Sequence, residues 1–339
     1  MNKSPLVIIN NEKIFERGNG FYCNNLDLKV IPEGLAKYHE ISCIFRRSNK
    51  KGSQNINLQN IKTASNILKF LYLVFKTFKK SNNIYLLISI TPYTFFSFLI
   101  LFFFKKKIFV YLRSSGHEEY KYILGSWSVW IYHLMFKIVT SNSTVISVHS
   151  RLFKNKKNHL IHPSRLDEQW LKDHKKVKLD KIKLLYVGRI NPEKGIIDFI
   201  KMLDQIKLNI KLSIVGDPDK LKVKNDKIEI LGYISDSQSL IDVYDNHNIV
   251  ILPSYTEAHP YVVDESLSRK RPMIIFNEIS YISNDRKGVF VSERNVNSFT
   301  QTAEHIINNY DEIQNQIDKN ILFTKQDMLK NLSNIILSN

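Results

Sequence analysis

The sequence predicts an α/β chain of two Rossmann-like domains, the first over residues 1–165 and the second over residues 166–339, with a C-terminal helix packing back on the first. Three observations lead there. A chain of 339 residues, 43% of them apolar, exceeds one ordinary core and suits two. Apolar runs of four to six residues, bounded by Gly or Pro, alternate with stretches of helical length. That is the signature of a parallel sheet covered on both faces. Finally, the segment "LDEQWLKDHKKVKLDK", residues 166–181, is charged and interrupts the apolar pattern between the halves.

In the second half, residues 183–188, 211–216, 228–232, 248–252 and 273–276 read as strands, and residues 194–206, 237–246 and 260–270 as helices. A sheet so connected takes its ligand at the carboxyl ends of its strands. The first half repeats the theme at residues 6–9, 41–45, 84–88, 108–112 and 145–148. Residues 84–104 need a decision, because they are uncharged and long enough to cross a bilayer. Pro92 falls where a strand-to-helix turn belongs, Lys105, Lys106 and Lys107 end the run, and another strand follows at once. A buried strand, a turn at Thr91-Pro92 and an unusually apolar helix is therefore favoured over a membrane span. The upstream stretch "ILKFLYLVFKTFKK" is similarly apolar, with lysines at 69, 76 and 80. Such helices either pack on the sheet or lie in a membrane interface.

The net charge of +17 is unevenly placed. Residues 1–165 carry 25 Lys and Arg against 7 Asp and Glu, while residues 166–339 carry 24 against 25. Basic residues are equally frequent in both halves, so the asymmetry is a shortage of acids in the first, which implies an anionic partner there. Nucleic acid is disfavoured, because the lysines are interleaved with long aliphatic and Phe-rich helices instead of exposed stacking aromatics in a polar groove. Two cysteines, Cys23 and Cys43, are too few for a disulfide framework, and no secretory leader pattern opens the chain, so a cytoplasmic protein is expected.

Two motifs carry chemistry. In "VGRINPEKG", residues 187–195, Arg189 follows a strand and Lys194 stands at the start of the next helix, with Gly188 and Gly195 allowing close backbone approach. Arg offers planar donors to phosphate oxygens, Lys a mobile point charge, and the helix N-terminus a dipole. In "EAHPYVVDE", residues 257–265, Pro260 suits the first turn of a helix. Glu257 then precedes the helix, and Glu265 lies about 7–8 Å further along its axis. Two carboxylates so placed can accept hydrogen bonds from two separated sets of hydroxyls, the shape of a nucleotide sugar. Either motif alone reads as ordinary surface charge; at the ends of two strands of one sheet they are specific.

"YVGRINPEKG" followed by "ILPSYTEAHPYVVDESLSRKRPMIIF" resembles the retaining GT-B glycosyltransferases of family 4, with their G-R…K-G loop and E-x7-E signature, over residues 181–276. The resemblance implies two Rossmann-like domains with the active site in the cleft between them. It also implies that Arg189 and Lys194 hold the donor diphosphate, Glu265 the ribose, and Glu257 the donor sugar near its reacting carbon. Gly188, Gly216-Asp217 and Gly232-Tyr233-Ile234 match loops near the base and phosphates, and His259 and Tyr261 belong to the donor-sugar loop. One departure stands out: the family's aromatic-Gly pair between the two Glu is His259-Pro260 here. Pro260 has no N–H to offer a sugar hydroxyl, so the donor-sugar contacts must differ.

In the first half, "ERGNGFY" resembles the family's glycine-rich loop after the first strand, with Gly18 and Gly20 able to approach donor or acceptor. His117, in "LRSSGHEEY", is the candidate beside the transferred sugar, against the alternative of a structural histidine; Ser147 and Ser150 would face the cleft. "DPD", residues 217–219, reads as a turn, and His159-x-x-His162 lacks companion ligands, so neither metal nor cofactor is expected.

The expected partners are a nucleotide-diphosphate sugar, a polyprenyl-phosphate-linked glycan acceptor and an anionic membrane surface, with no nucleic acid. They would place the protein peripherally on the inner face of the cell membrane. The alternative is a non-catalytic, membrane-associated polysaccharide assembly factor of the same fold.

Overall fold

The computed structural model describes residues 3–18, 20–79, 82–113, 116–148, 158–221, 225–257, 259–283 and 286–338. The chain divides into two units, Met1–His162 with Gln326–Asn339, and Pro163–Lys325.

The first unit begins with β1 (Ser4–Arg17), β2 (Gly20–Cys23), α1 (Asp27–Leu35), β3 (His39–Ser48), β4 (Gln54–Ile56) and β5 (Ile61–Ala64). It continues through α2 (Ile67–Lys76), β6 (Ile84–Ile88), α3 (Pro92–Phe103), β7 (Lys107–Leu112), α4 (His117–Leu124), α5 (Ser126–Ser141), β8 (Thr144–Ser147) and β9 (His159–Leu160). Among the described residues, β5-β3-β1-β6-β7-β8-β9 is a run of parallel pairs. β2 and β4 extend the sheet antiparallel from the far end of β1. The register of β1 against β3 shifts between Ile9 and Lys13, so the strand continues past its apolar stretch through Asn10, Asn11 and Glu12.

The segment 84–104 is a strand, a turn and a helix, and no described helix is long and apolar enough to cross a membrane. Local chemistry sets both ends of α3. Thr91 and Thr94 form a capping box and Pro92 occupies the first turn, where its missing N–H costs no hydrogen bond. At the other end Lys106 N–H bonds Leu101 O at 2.9 Å and Lys105 N–H bonds Phe102 O at 2.9 Å, with Lys105 left-handed at φ 51°. This is a Schellman stop with Lys where Gly is usual, at a conformational cost of roughly 1–2 kcal/mol.

The second unit contains β10 (Ile182–Val187), α6 (Ile196–Leu203), β11 (Ile210–Val215), β12 (Ile228–Gly232), α7 (Ser237–Asp245) and β13 (Ile249–Leu252). Then come α8 (Tyr261–Ser268), β14 (Met273–Phe276), β15 (Val289–Ser292), α9 (Val296–Asn308) and α10 (Tyr310–Ile317). Among the described residues its six strands are all parallel in the order β12-β11-β10-β13-β14-β15. The order reverses between β10 and β13, so the loops leaving these two neighbours diverge and open a crevice at their carboxyl ends. A buried ion cluster ties the chain before β10 to this sheet. Arg269 pairs with Asp245 at 2.8 Å and donates to the carbonyls of Trp170, Lys172 and Asp173 at 3.0, 2.6 and 3.0 Å. Arg271 donates to Lys175 O at 2.9 Å.

The last helix, α11 (Lys325–Ser338), supplies the C-terminal part of the first unit. Strand side chains alternate between two cores. Leu6, Ile8 and Phe109 pack with α1 and with Leu332 and Ile336 of α11. Val7, Ile9 and Val110 pack with Phe70 of α2, Phe98 of α3 and Met135 of α5. Leu329 fills the space beside Gly34, and His39 and Ser333 are 3.0 Å apart.

Candidate active site

The crevice of the second unit is built by two short loops. The first leaves β10 at Gly188, whose N–H bonds Val215 O at 3.0 Å. Tyr186, buried in β10, donates its hydroxyl to Arg189 O at 2.7 Å and so props the loop from below. Burial pushes the Tyr186 phenol above its ordinary value, which keeps it a neutral donor. A Cβ on Gly188 would meet that hydroxyl at 2.9 Å, and one on Gly216 would meet Gly188 O at 2.6 Å. The glycine at 216 is required by close approach of the two loop backbones.

Lys194 does not open the helix, as the sequence suggested. It ends a short turn, Pro192–Lys194, and α6 starts two residues later, after Gly195 at φ 63°. A side chain at Gly195 would collide with Pro253 O, so the first loop lies directly on the end of β13. Pro260 likewise caps α8 from outside, at φ −78° and ψ 113°.

The second loop leaves β13 at Pro253 and carries Ser254 and Glu257. Lys194 Nζ reaches Glu257 Oε1 at 2.6 Å, and Ser254 Oγ donates to the same oxygen at 2.7 Å. Both partners of the ion pair are largely buried. Tyr255 N–H bonds Glu193 O at 3.0 Å, a second tie between the loops. Tyr281 hydroxyl donates to the Glu257 carbonyl. Arg294 stacks over Tyr255 and Phe276 at 4.1 and 4.4 Å while its Nε pairs with Glu278 at 2.7 Å. Arg189, in contrast, projects to solvent with its side chain 74% exposed, 3.9 Å from Glu193. The loops thus present one fixed cation paired to a carboxylate and one extended cation.

Glu265 lies buried on α8 and accepts from Tyr244 hydroxyl at 2.8 Å. Burial raises its carboxyl above the ordinary range, with the Tyr244 bond opposing the shift. His259 Nε2 is 3.5 Å from Asp264, whose other oxygen is 3.3 Å from Arg286. Tyr261 lies under the Arg165 guanidinium at 4.2 Å. Tyr233 is exposed just after Gly232, and Ile234 packs on the core of this unit. Asp217 accepts from Asp219 N–H at 3.2 Å, which makes "DPD" a turn.

Five candidates belong to the first unit. Gly18, at φ 57°, turns an antiparallel hairpin, and Gly20 pairs with Arg17 as the first residue of β2. The segment is therefore a hairpin turn and not an open loop following the parallel strand. His117 opens α4 with its ring 4.8 Å from Tyr132 and 5.4 Å from Phe136. Ser147 is buried at the end of β8, and Ser150 lies outside the described residues.

Sequence reasoning missed Ser254, Tyr281, Tyr244, Tyr186 and Arg294. Only Ser254, between a strand end and Glu257, carried a local signal.

Residues 167–322 match the family model described as glycosyl transferases group 1. Among solved structures, the chain is similar to the lipopolysaccharide outer core galactosyltransferase WaaB in its apo form, at 17% identity and TM-score 0.68 over 98% of this chain and 99% of that one. HepE of Anabaena, solved with UDP and glucose, is similar at 11% identity and TM-score 0.68 over 99% and 100%. Sucrose-phosphate synthase from Thermosynechococcus elongatus is similar at 16% identity and TM-score 0.65 over 99% and 97%. Likeness at these identities shows the fold: the chain has the two-domain GT-B architecture. No curated protein matches it.

Proposed function

We propose that this chain is a retaining glycosyltransferase that moves a sugar from a nucleotide-diphosphate donor to a polyprenyl-phosphate-linked glycan, in assembly of a surface polysaccharide such as an O-antigen or capsule repeat. One observation carries the reading. Lys194 and Glu257 meet at the strand-order reversal of a parallel sheet, beside the extended Arg189, inside the stretch that matches glycosyl transferases group 1. The HepE structure holding UDP and glucose supports a nucleoside diphosphate as the donor's leaving group.

In this reading Arg189 and Lys194 hold the diphosphate and Glu265 the ribose. Gly188, Gly216, Tyr233 and Ile234 border base and phosphates, and His259 and Tyr261 border the sugar. The bond from the anomeric carbon to the phosphate oxygen breaks, and the acceptor hydroxyl oxygen bonds that carbon on the same face. Its proton passes to the departing phosphate. Arg189 and Lys194 stabilise the charge developing on that phosphate, which is electrostatic work requiring no divalent ion. Glu257, held by Ser254 and Lys194, orients the sugar and is not the nucleophile. The basic, acid-poor first half, with its apolar helices, would hold the enzyme on the inner face of an anionic membrane.

The test is nucleotide binding followed by product analysis. Uridine, guanosine and adenosine diphosphates are screened for thermal stabilisation in the wild type and in Arg189→Ala, then a panel of nucleotide sugars is offered with a lipid-linked acceptor. Stabilisation lost in the variant, with sugar transfer, is expected. A chain that no nucleoside diphosphate stabilises would overturn the reading.

A further inference from the structure

The outward side of the helical layer formed by α2, α3 and α5 is apolar. α5 buries Tyr132, Met135 and Val139 against the sheet, and a helix so packed normally turns charge toward solvent. Here Trp127, Trp130, Ile131 and Leu134, at positions i, i+3, i+4 and i+7, are exposed instead, the two indoles by 66% and 71%. α3 adds Phe102 and Phe103, the latter 81% exposed. α2 adds Phe75, whose ring lies 5.8 Å from that of Phe104 just past α3. All three helices pack on one core, so their outward residues belong to one surface.

The charge that these three helices carry has one sign. α2, α3 and α5 contain no Asp or Glu, and residues 41–117 contain none at all. Exposed lysines border it at Lys69, Lys76, Lys79, Lys105, Lys107 and Lys137. The occupant must therefore be apolar and anionic together. A second copy of this chain would meet the face with the same positive charge. An anionic bilayer leaflet offers acyl chains to the rings, phosphates to the lysines, and the interfacial depth that indoles favour.

We propose that this face seats in the headgroup region of an anionic bilayer, with Trp127 and Trp130 of α5 as its anchors. The proposal deepens the membrane reading above and rests on it, whereas nucleotide binding by the second unit is independent of it. The chain has three tryptophans, and the third, Trp170, is buried in the second unit, so indole fluorescence reports on α5.

The experiment titrates the full chain with vesicles of phosphatidylcholine alone or mixed with phosphatidylglycerol, following tryptophan emission and flotation. Expected are a blue shift, quenching by lipids brominated in their acyl chains, and binding confined to the anionic vesicles. Trp127→Ser with Trp130→Ser should lower partitioning by about tenfold or more, read by flotation. Phe103→Ser, which keeps both indoles, should weaken binding while preserving the blue shift at saturation. No vesicle binding at low salt would overturn the proposal, as would variants that bind like the wild type. Self-association lost in the tryptophan double variant, without vesicle binding, would assign the face to a second copy. Thermal stabilisation by nucleoside diphosphates, measured alongside, keeps a failure here separate from a failure of the transferase reading.

Discussion

Lys194 and Glu257 stand on loops that leave neighbouring strands, and their charged atoms meet at 2.6 Å with little solvent between them and bulk. Removing Lys194 leaves a largely buried carboxylate with Ser254 as its remaining side-chain donor. Lys194→Ala should lower unfolding free energy by about 2–3 kcal/mol, somewhat less than a fully buried pair, and sugar transfer by more than about tenfold. Adding Glu257→Gln should restore much of the stability and none of the transfer. Urea melts and initial rates of the wild type and the two variants decide it: equal stability of single and double variants would mean that the pair is not coupled.

Glu265 gives a pH signature. Its folded carboxyl titrates above the ordinary range because burial disfavours the charged form. Between the unfolded value, about 4.3, and the raised folded value, the native state holds the extra proton, so stability attributable to this group is full at low pH and lost as pH rises. Glu265→Gln should remove that loss. The variant should gain on the wild type as pH climbs through the window in chemical-denaturation series, and Tyr244→Phe, which deletes the opposing hydrogen bond, should steepen the wild-type trend. A pH-independent difference between wild type and Gln variant would contradict the assignment.

Asp245 pairs with two fully buried guanidiniums, Arg269 at 2.8 Å and Arg271 at 3.4 Å. Asp245→Ala strands both, and should cost about 3–5 kcal/mol, with the second unit losing protection first in hydrogen exchange across residues 169–175. Unchanged exchange in that segment would show that the carbonyl contacts of Arg269 alone hold it.

Asp217 and Asp219 are spent on a turn, and among the described residues no group of three His, Cys, Asp or Glu is placed to hold a metal. Asp217→Asn with Asp219→Asn should leave transfer within about twofold, and EDTA should leave it intact. Loss in EDTA restored by Mn²⁺ would promote these aspartates to ligands.

The second unit was legible because each of its strands from β10 to β14 is an apolar run ended by Gly, Pro or a polar turn, and observed bounds lie within about two residues of the expected ones. The hairpin of β1 and β2 was not, since polar Asn10, Asn11 and Glu12 carry no strand pattern and mark the irregularity in the pairing of β1 with β3, beyond which the strand resumes at Lys13. Gly18 misled for a related reason: a left-handed glycine serves a hairpin as well as a ligand loop. Lys194 and Glu257 could be singled out as charges at strand ends. Tyr281 and Arg294 reach the loops, and Tyr244 reaches Glu265 of α8, only through tertiary packing, which no local spacing announces.

The place of α11 bears on how the chain matures. On the ribosome the first unit emerges ahead of the second, yet the surface of Leu35, Gly34 and His39 waits for Leu329 and Ser333. Some 160 residues of translation separate the two pieces, on the order of ten seconds at ordinary elongation rates. The unit made first is thus the unit completed last, with the second unit free to fold meanwhile from contiguous sequence. A released chain truncated after residue 325 should expose an apolar face on its first unit, a natural site for chaperone capture, while its second unit is already protease-resistant.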